Sequence, residues 1–501
     1  MSEQINTNTP EMRPEQDANE VRKVRIEKLN DMCANGNNPF EITSYDRTAT
    51  AGEVLADFER FEGVSVRIAG RLVSKRIMGK ASFGHVLDCD GKMQGYFSRD
   101  DMGADEYQAF KKWDVGDIIG IEGEVFKTKT GEISVHVKKA TLLSKSLLPL
   151  PEKFHGLRDT ELRYRQRYVD LIANPEVKEV FVKRSKIITA IREVLDKKGF
   201  IEVETPILNT LAGGANARPF ITHHNTLDID MYLRIATELH LKRCIVGGFD
   251  KVYEIGRQFR NEGMDPKHNP EFTTIELYQA YADYKDMMDI TEELYSTACL
   301  KACGTLDIEY QGQPLSFKTP WQRLTMIEAV KKYTGLDFGN ESLDELIKKE
   351  NEMGLELSAD TAWGNALYAA FDRFVEEKLT GPVFIMDYPV EVSPLAKRKP
   401  SDPRLTERFE FFVCASEGGN AFSELNDPID QRSRFEQQML AKAKGDEEAQ
   451  PYDEDFCTAL EYGMPPTGGV GIGIDRMVMV LTNSPSIRDV LLFPTMRPLN
   501  K

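Results

Sequence analysis

Two stretches of the chain, residues 252–281 and 408–427, carry side chains suited to binding and activating a charged ligand. In the first, VYEIGRQFRNEGMDPKHNPEFTTIELYQAY, polar and apolar positions alternate on both sides of a polar loop at 263–270. A period of two is typical of a half-buried β-strand, so the pattern predicts two strands that pair as a hairpin. One face would present a cation, two carboxylates and two aromatic rings: Arg260, Glu262, Glu276, Phe272 and Tyr278. That face suits a charged substrate better than a structural sheet.

The second stretch, RFEFFVCASEGGNAFSELND, adds further carboxylates and an amide at Glu410, Glu417, Asn420 and Glu424. Alternation places Asn420 and Glu424 on one face of a strand. Further along, GGVGIGIDRMVMVL at 468–481 predicts a glycine-rich strand that runs into a helix near Arg476. The segment lacks the GxGxxG spacing of a dinucleotide-binding loop.

Length and composition indicate a globular protein of two or three domains. The chain has 501 residues, of which 41% are apolar and 29% are charged. We expect a cytoplasmic protein, because no apolar run is long enough to span a bilayer and the polar N-terminus is unlike a secretory signal. The seven cysteines are scattered without a CxxC pair, which favours reduced thiols over a disulfide framework or a zinc site.

The net charge of −17 argues against nucleic acid as a ligand, but residues 64–145 hold 14 lysines and arginines against 11 acidic residues. A local basic surface can bind phosphates on an acidic protein. Residues 1–16 are low in apolar side chains and are expected to be disordered, while 17–34 are expected to form a helix. Its cations, Arg22, Lys23, Arg25 and Lys28, favour a solvated face over a phosphate site.

From residue 64 the pattern predicts five strands, at 64–73, 82–90, 92–100, 117–126 and 131–137, with a helix around 105–112. This order indicates the small Greek-key barrel called the OB-fold, which often binds single-stranded nucleic acid. Phe83 is a candidate platform for base stacking, and barrel core is an equally good interpretation of it. Gln94 and Glu132 would either hydrogen-bond base edges or be ordinary exposed polar residues.

The remaining segments position these groups. A linker is expected at 149–175, a long helix opens at Pro175, and a strand follows at 200–204. A glycine-rich loop at 213–220 would let the backbone approach a ligand. Residues 284–349 are interpreted as mixed helices and turns, residues 360–379 as a helix, and residues 381–389 as a buried strand bounded by Gly381 and Pro389.

Three segments in order, GFIEVETP ending at Pro206, FRNE at 259–262 and GVGIGIDR at 469–476, resemble the three signature motifs of class II aminoacyl-tRNA synthetases. With a barrel placed N-terminal, the chain is similar to the subgroup specific for aspartate, asparagine and lysine. Within that subgroup, RPFITHHN, YLRIATELHLKR, DYPVEVSPLAK and FSELNDP resemble the bacterial lysyl-tRNA synthetases. The resemblance extends from about residue 64 to the C-terminus.

This resemblance implies an α+β fold, in which an antiparallel-sheet class II synthetase catalytic domain follows an N-terminal OB-fold β-barrel. The expected divisions are an N-terminal tail and helix at 1–60, an anticodon-binding barrel at 61–148, a linker at 149–175 and a catalytic domain at 176–501. A helical insertion is expected near 285–380. The implied assembly is a homodimer, with the first-motif helix and Pro206 at its interface.

The implied reaction joins L-lysine to the 3′ end of its tRNA through a lysyl-adenylate, with ATP as substrate and Mg²⁺ as the metal. Because no covalent enzyme intermediate is needed, catalysis would consist of positioning and neutralisation of phosphate charge. By resemblance, the catalytic residues are Arg260, Glu262 and Arg476, and the residues that contact ATP are Arg260, Glu262, His268, Asn269, Phe272, Gly473 and Arg476. The others implied are Glu410 and Glu417 for the metal; Gly214, Glu238, Glu276, Tyr278, Asn420 and Glu424 for lysine; and Arg76, Phe83, Gln94 and Glu132 for the anticodon.

The residues support lysine independently of the resemblance, because an ammonium group on a long stem requires carboxylates, whereas aspartate would require a cation. Alternatives remain: Glu276 and Glu424 would instead pair with arginines, His268 would cap a turn, and Phe272 would belong to the core. An aspartate- or asparagine-specific relative, a non-catalytic tRNA-binding paralogue and a protein-lysylating relative are the competing functions. The chain departs from the common family pattern at Gly418 and Ala421, near the metal carboxylates.

Overall fold

A computed structural model describes residues 14–151, 157, 159–443 and 451–499. The chain divides into two compact units, Met1–Leu157 and Arg158–Lys501. Most of the segment expected to be disordered, residues 1–16, lies outside the described residues. Across the described part of the chain, every helix is too short or too polar to cross a membrane.

The first unit is built around a closed five-stranded barrel in the order β1-β2-β3-β5-β4, as the sequence pattern predicts. Alternate residues of each strand point inward, and the small core includes Val66, Ile68, Val86, Phe97 and Ile121. Its helices and strands are α1 Pro14–Ala34, α2 Ala51–Ala56, α3 Phe58–Phe61, β1 Ser65–Met78, β2 Ala81–Leu87, β3 Lys92–Ser98, α4 Arg99–Met102, α5 Ala104–Lys112, β4 Ile118–Lys127 and β5 Ile133–Ser144, with a 3-10 turn at Pro39–Glu41.

Two cations of α1 have structural partners, so neither proposed interpretation of this cluster holds for them. Arg25 is only 7% exposed, and its guanidinium donates to the carbonyl oxygens of Ser146, Leu148 and Val115. Lys28 forms an ion pair with Asp114 at 2.6 Å. A buried cation such as Arg25 persists where hydrogen bonds satisfy it, and together with the half-buried Lys28 it attaches α1 to the barrel.

The second unit is organised on an eight-stranded sheet in the order β14-β15-β18-β19-β20-β11-β10-β6. Its pairs are antiparallel except β14 with β15 and β10 with β6. The strands are β6 Ile201–Glu202, β7 Leu208–Asn209, β8 Ile221–His224, β9 Ile229–Leu233, β10 Lys251–Phe259, β11 Glu271–Ala280, β12 Asp307–Tyr310, β13 Gln313–Ser316, β14 Gln322–Thr325, β15 Val383–Met386, β16 Arg398–Lys399, β17 Asp402–Thr406, β18 Arg408–Phe412, β19 Glu417–Ser423 and β20 Thr467–Gly473.

Helices pack on both faces of this sheet. The helices are α6 Thr160–Arg165, α7 Arg167–Ala173, α8 Pro175–Lys197, α9 Glu238–Val246, α10 Tyr284–Cys303, α11 Met326–Thr334, α12 Leu343–Glu352, α13 Trp363–Phe374, α14 Pro428–Ala443, α15 Glu454–Glu461, α16 Ile474–Leu481 and α17 Ile487–Val490, with 3-10 turns at Glu376–Lys378 and Val390–Val392. Helices α8, α10 and α16 pack on one face of the sheet, and α9, α11 and α13 pack on parts of the other face. The predicted helix at Pro175 is confirmed, and its residues Ile187, Ile191 and Leu195 are fully buried in the core with Ile275 and Leu277 of β11.

The structure differs from the sequence-based expectations in two segments of this unit. Residues expected to form a linker include α6 and α7, and Arg167 of α7 is 1% exposed because it donates to backbone oxygens of Arg488 and Leu492. The expected insertion at 285–380 includes α10, which packs in the main core, and β14, the edge strand of the sheet. Short strands such as Gln322–Thr325 have too few residues for their alternation to be recognised.

The two strands of the hairpin are confirmed, but the first of them is not half-buried. Its polar positions Glu254 and Gln258 are 5% and 1% exposed. Glu254 is buried because it accepts hydrogen bonds from Thr205 and pairs with Arg234. The alternation along β10 therefore separates a polar face from an apolar face, and both faces are largely buried.

The carboxylate of Glu350, on α12, is fully buried, and neither of its oxygens has a hydrogen-bond partner among the described residues. Burial raises the pKa of Glu350 to about 7. Because the pKa is higher in the folded state than its ordinary value of 4.5, this group lowers stability progressively as the pH rises from 4.5 to about 7. The full loss is present above pH 7, and near pH 5 the loss is small.

Replacing Glu350 by Gln is therefore expected to raise the free energy of unfolding at pH 8 by about 1 kcal/mol, with a smaller change at pH 5. Denaturant unfolding at both pH values measures this difference. Glu352→Gln, on the exposed face of the same helix, is the matched control and should change stability equally at both pH values. A gain that is the same at pH 5 and pH 8 would contradict the assignment.

Candidate active site

The predicted ligand-binding side chains meet on one face of adjacent strands of the sheet. In the hairpin, Glu276 of β11 is directly opposite Glu254 of β10, and on its other side it is opposite Gly471 of β20. Gly471 in turn is opposite Asn420 of β19. Because these strands are neighbours, residues far apart in sequence come together on one surface.

This surface forms a cavity of about 450 Å³. Every residue that the sequence assigned to ATP, lysine or metal lines it: Gly214, Glu238, Arg260, Glu262, His268, Asn269, Phe272, Glu276, Tyr278, Glu410, Glu417, Asn420, Glu424, Gly473 and Arg476. The sequence analysis expected these side chains to lie together on one surface, and they do. Which group each of them binds is not determined by this placement.

At one end of the cavity, two buried polar atoms have no partner within the described chain. They are Nε of Arg260 and Oδ1 of Asn269. The Arg260 guanidinium lies over the Phe272 ring, 5.1 Å from its centroid, which holds both flat groups at the cavity wall. Buried polar atoms are normally hydrogen-bonded, so these two atoms indicate a ligand that supplies the missing partners.

Arg476 stands at the same end, on the first turn of α16. Its guanidinium donates to the Glu417 carbonyl oxygen at 2.6 Å, and a second nitrogen lies 3.2 Å from Nε2 of His268. His268 also lies 2.7 Å from the carboxylate of Asp265 within the hairpin loop, as the turn interpretation expects, and it lines the cavity; its contact with ATP stays a prediction. These contacts hold His268 of the hairpin loop and Arg476 of α16 side by side.

A buried ion pair beneath Arg476 connects three elements of the site. Arg184 of α8 donates to Asp475 at 2.5 Å and to Thr273 Oγ1 at 3.2 Å, while Asp475 also accepts from the Thr273 backbone N–H at 2.7 Å. Helix α8, strand β11 and helix α16 contain the three signature segments or adjoin them. The sequence alone did not single out Arg184, because its partner is almost three hundred residues away.

The other end of the cavity is rich in buried carboxylates. Glu276 accepts a hydrogen bond from the Thr237 backbone N–H at 3.1 Å, and Tyr278 donates to it at 3.4 Å. Burial, together with the charge of Glu238, raises the pKa of Glu276 to about 7. Glu424 is fully buried, and burial raises its pKa to about 8 despite an opposing effect of Lys242.

Lys242 is the main feature that the sequence did not reveal. Its side chain is fully buried, and its ammonium lies 2.6 Å from Glu238 and in an ion pair with Glu424. The alternative that Glu424 pairs with an arginine is wrong, because its charged partner is this lysine. The i,i+4 spacing of Glu238 and Lys242 on a helix was the available signal.

Glu410 and Glu417 supply two carboxylates at the cavity wall. Glu410 accepts from the Tyr388 hydroxyl at 2.8 Å and from Arg408 at 2.5 Å, and Arg408 lies over the Tyr388 ring. Burial and the nearby charge of Glu417 raise the pKa of Glu410 to about 7 although Arg408 opposes them. Hard carboxylate oxygens that repel one another fit a divalent cation such as Mg²⁺.

Glycines shape this cavity in two different ways. A Cβ at Gly469 would lie 2.3 Å from Glu424 Oε1 and 2.4 Å from the Tyr278 ring, so the protein itself requires glycine there. At Gly418 a Cβ would lie 2.1 Å from the Phe411 ring, which explains the departure from the family pattern at this position. At Gly473 an added Cβ would make only ordinary contacts at 3.7 Å, so the protein alone does not explain that glycine.

The barrel unit carries a separate surface with the predicted nucleic-acid residues. Phe83 is half-buried outside the barrel core, opposite Arg76 on β1 and Tyr96 on β3. Its ring lies 5.3 Å from that of Tyr96, which also contacts the rings of Phe126 and His136. The alternative that Phe83 belongs to the barrel core is therefore wrong.

Gln94 and Glu132 are hydrogen-bonded to each other on the barrel. The Gln94 amide donates to Glu132 at 2.7 Å and accepts from Ser134 at 2.7 Å, while His85 lies 3.1 Å from the same carboxylate. Glu132 is exposed, whereas Gln94 is 8% exposed. The pair holds a fixed set of donors and acceptors near Phe83.

Comparisons with known proteins agree with both units. The family described as "tRNA synthetases class II (D, K and N)" matches residues 159–497, and the family described as "OB-fold nucleic acid binding domain" matches residues 66–143. These matches confirm the predicted fold class of the two domains.

Curated proteins align with the chain over almost its whole length. It is 57% identical to the lysine–tRNA ligase of Carboxydothermus hydrogenoformans, over 96% of this chain and 99% of that protein. It is 58% identical to that of Pelotomaculum thermopropionicum, over 97% and 96%, and 56% identical to that of Clostridium novyi, over 99% and 98%.

Proposed function

Since this chain belongs to the class II tRNA synthetases of the aspartate, lysine and asparagine group, we propose that its cavity activates L-lysine with ATP and transfers it to tRNA. The observation that carries the choice of lysine is the set of three buried carboxylates, Glu238, Glu276 and Glu424, at one end of the cavity. An aspartate side chain would need a free cation there, but the buried Lys242 is already paired with two of these carboxylates.

At the nucleotide end, Phe272 stacks on adenine, and His268, Asn269 and Glu262 contact ATP. Arg260 binds the α-phosphate and the lysine carboxylate, since a planar guanidinium suits such bidentate contacts. Arg476 binds the γ-phosphate. The unpartnered atoms of Arg260 and Asn269, and the space left open at Gly473, support this placement.

At the other end, Glu276, Tyr278, Asn420 and Glu424 surround the ε-ammonium of lysine, and Glu238 together with Gly214 holds its α-amino group. A charge-assisted hydrogen bond is roughly twice as strong as a neutral one, so the carboxylates supply most of the affinity. Gly214 adopts a φ of +90°, which only glycine occupies without strain, and it brings its backbone close to Glu238.

The reaction then proceeds in two steps. An oxygen of the lysine carboxylate attacks the α-phosphorus of ATP, and the bond to the β-phosphate breaks to release pyrophosphate. The 3′-hydroxyl of the terminal adenosine of tRNA next attacks the carbonyl carbon of the adenylate, and AMP leaves. Arg260 and Arg476 neutralise the charge that develops on the phosphates, and positioning supplies the rest.

Glu410 and Glu417 are the residues that hold the metal, for which we propose Mg²⁺. When bound, the cation neutralises charge on the phosphate oxygens. Tyr388 and Arg408 orient Glu410 by their hydrogen bonds. Hydrogen bonds of this kind keep a metal-binding carboxylate in place.

The remaining assignments concern the assembly. We assign the barrel, residues 61–148, to the anticodon and residues 176–501 to catalysis, with a homodimer as the working state in the cytoplasm. The edge strand β6 and the segment that follows it expose apolar side chains, with Ile201 at 51%, Ile207 at 47% and Leu208 at 44%. An exposed edge strand flanked by apolar residues suits an interface between two copies.

Lysine-dependent exchange between ATP and pyrophosphate tests this function, with aspartate and asparagine as parallel substrates. We expect exchange with lysine alone. Exchange that requires aspartate or asparagine would overturn the choice of substrate, and binding of tRNA without any exchange would identify a non-catalytic paralogue.

The efficiency of lysine activation is expected to rise with pH through the range of about 7 to 8. Burial raises the pKa of Glu276 to about 7 and that of Glu424 to about 8, so at lower pH both groups are neutral and attract the ammonium less. The profile of kcat/KM for lysine reports groups of the free enzyme. In the variant Glu276→Gln, the part of the increase in kcat/KM that occurs near pH 7 should disappear. A kcat/KM that is constant from about pH 6 to 8 in the unchanged protein would contradict the placement of lysine beside Glu276 and Glu424.

Phe83→Ala is expected to raise the KM for tRNA about tenfold and to leave lysine-dependent exchange unchanged. The reason is that one stacked base contributes about 1–3 kcal/mol. Aminoacylation at several tRNA concentrations measures the effect, and Phe40→Ala, which removes an exposed ring of the same unit that is not a member of the Phe83 cluster, is the control. Equal effects of the two substitutions would contradict a stacking role.

A further inference from the structure

The buried ammonium of Lys242 lies among the three carboxylates proposed to bind lysine. It comes from α9, one turn after Glu238, and contacts both Glu238 and Glu424, whose carboxylates face the cavity from different elements. The Phe456 ring of α15 lies 5.9 Å from the ammonium and closes the side away from the cavity. The side chain is therefore enclosed.

The charges at this end of the cavity do not balance in the protein alone. Burial raises the pKa of Glu276 to about 7 and that of Glu424 to about 8, so all three carboxylates are ionised only above that range. In that state Glu238, Glu276 and Glu424 supply three negative charges, and Lys242 supplies one positive charge. The surplus is two negative charges, which matches the two positive charges on the ammonium groups of a lysine substrate. An unbalanced buried charge is costly, so the surplus favours a ligand with two cations.

The contacts leave room for a second cation. Both oxygens of Glu424 are buried without a hydrogen bond of normal geometry among the described residues, but Oε2 forms the ion pair with Lys242, which leaves Oε1 without a charged partner. Oε1 points toward Gly469 and Tyr278, which line the cavity. Glu424 can therefore contact Lys242 and a substrate ammonium together.

We propose that Lys242 determines specificity as a positioning residue, because its ammonium orients Glu238 and Glu424 and sets the pocket to two net negative charges for a diamino acid. This inference rests on the proposed placement of lysine. Without Lys242, three carboxylates would face one another, and one would take up a proton and lose its hold on the substrate. Burial opposes the charge of Lys242, but Glu238 and Glu424 outweigh it and raise its pKa, so it remains charged.

The test removes Lys242 in two backgrounds and measures the KM for lysine in the exchange assay, at a pH above the raised pKa of Glu424 so that the carboxylates are ionised. In the otherwise unchanged protein, Lys242→Met is expected to raise this KM at least tenfold, because the surplus grows to three negative charges. In a Glu238→Gln background the surplus is one, so the same substitution restores it to two and is expected to lower the KM at least threefold. A side chain that only fills space would act in the same direction in both backgrounds.

Three controls separate the possible causes. The KM for ATP should stay within twofold in every variant that activates lysine, and Lys242→Arg, which keeps the charge, should bind lysine better than Lys242→Met. If Lys242→Met does not fold, the double variant, which has no extra unpaired carboxylate, is compared with Glu238→Gln alone. An increase of the lysine KM on removing Lys242 in the Glu238→Gln background would overturn the proposal.

Glu276→Gln distinguishes this inference from the placement on which it rests. A lysine KM unchanged by Glu276→Gln would mean that lysine binds elsewhere, and the proposed site itself would then fail. A raised KM for Glu276→Gln, without opposite effects of Lys242→Met in the two backgrounds, would keep the site and reject the role of Lys242.

Discussion

Arg260→Ala is expected to reduce lysine-dependent exchange by a factor on the order of 10² to 10³. The Arg260 guanidinium lies over Phe272 with its Nε buried and unpartnered, at the point where the α-phosphate and the lysine carboxylate would meet. Loss of one preorganised group that stabilises developing charge typically costs this much in kcat. Exchange at saturating ATP and lysine measures kcat directly.

Arg257→Ala is the matched control for this substitution. Arg257 is on β10, three residues before Arg260, but is exposed, and its nearest acidic partner is Glu271 at 3.4 Å. We expect its removal to change exchange less than twofold. Exchange that survives Arg260→Ala unchanged would show that the catalytic site lies elsewhere.

Glu276→Gln is expected to raise the KM for lysine about 10- to 100-fold, with little change in the KM for ATP. The substitution keeps the shape of the side chain and removes a charged hydrogen bond to the ammonium, which contributes about 1.5–3 kcal/mol. Exchange at varied lysine, with ATP saturating, measures the change.

Glu271→Gln, at the exposed start of the same strand, is the control for this second substitution. It should leave both Michaelis constants unchanged. Equal increases in the constants for ATP and lysine after Glu276→Gln would indicate general damage to the cavity and would contradict a specific role.

The hairpin and the glycine-rich strand were predictable from the sequence because their chemistry is local. Alternation along 271–280 separates Phe272, Glu276 and Tyr278, which line the cavity, from Ile275 and Leu277, which are buried in the core. That separation needs only the period of two and one apolar face.

The partners of those residues were not predictable, because they depend on contacts between distant segments. Lys242 was part of a segment recognised only for its family resemblance, and its pairing with Glu424, one residue beyond β19, depends on how α9 packs in the fold. Arg184 and Asp475 are likewise brought together only by the packed core. The alternation pattern also gave a wrong prediction at Glu254, which faces the buried Arg234 rather than solvent.

Short or peripheral elements were the other part of the fold that the sequence did not predict. Strand β14 has four residues and joins the sheet only through β15, so nothing in its own sequence marks it. Helices α6 and α7 lie in a segment that is rich in arginine and tyrosine, where a linker was expected. Their stability comes from contacts such as those of Arg167 with the C-terminal backbone rather than from a hydrophobic stripe.

The structure of the chain bound to a non-hydrolysable lysyl-adenylate analogue is the most direct test of the central claim that one cavity holds both substrates. We predict adenine against Phe272, the phosphate replacement beside Arg260, and the ε-ammonium within hydrogen-bond distance of Glu276 and Glu424. An analogue bound outside this cavity, or bound with its ammonium away from both carboxylates, would contradict the account.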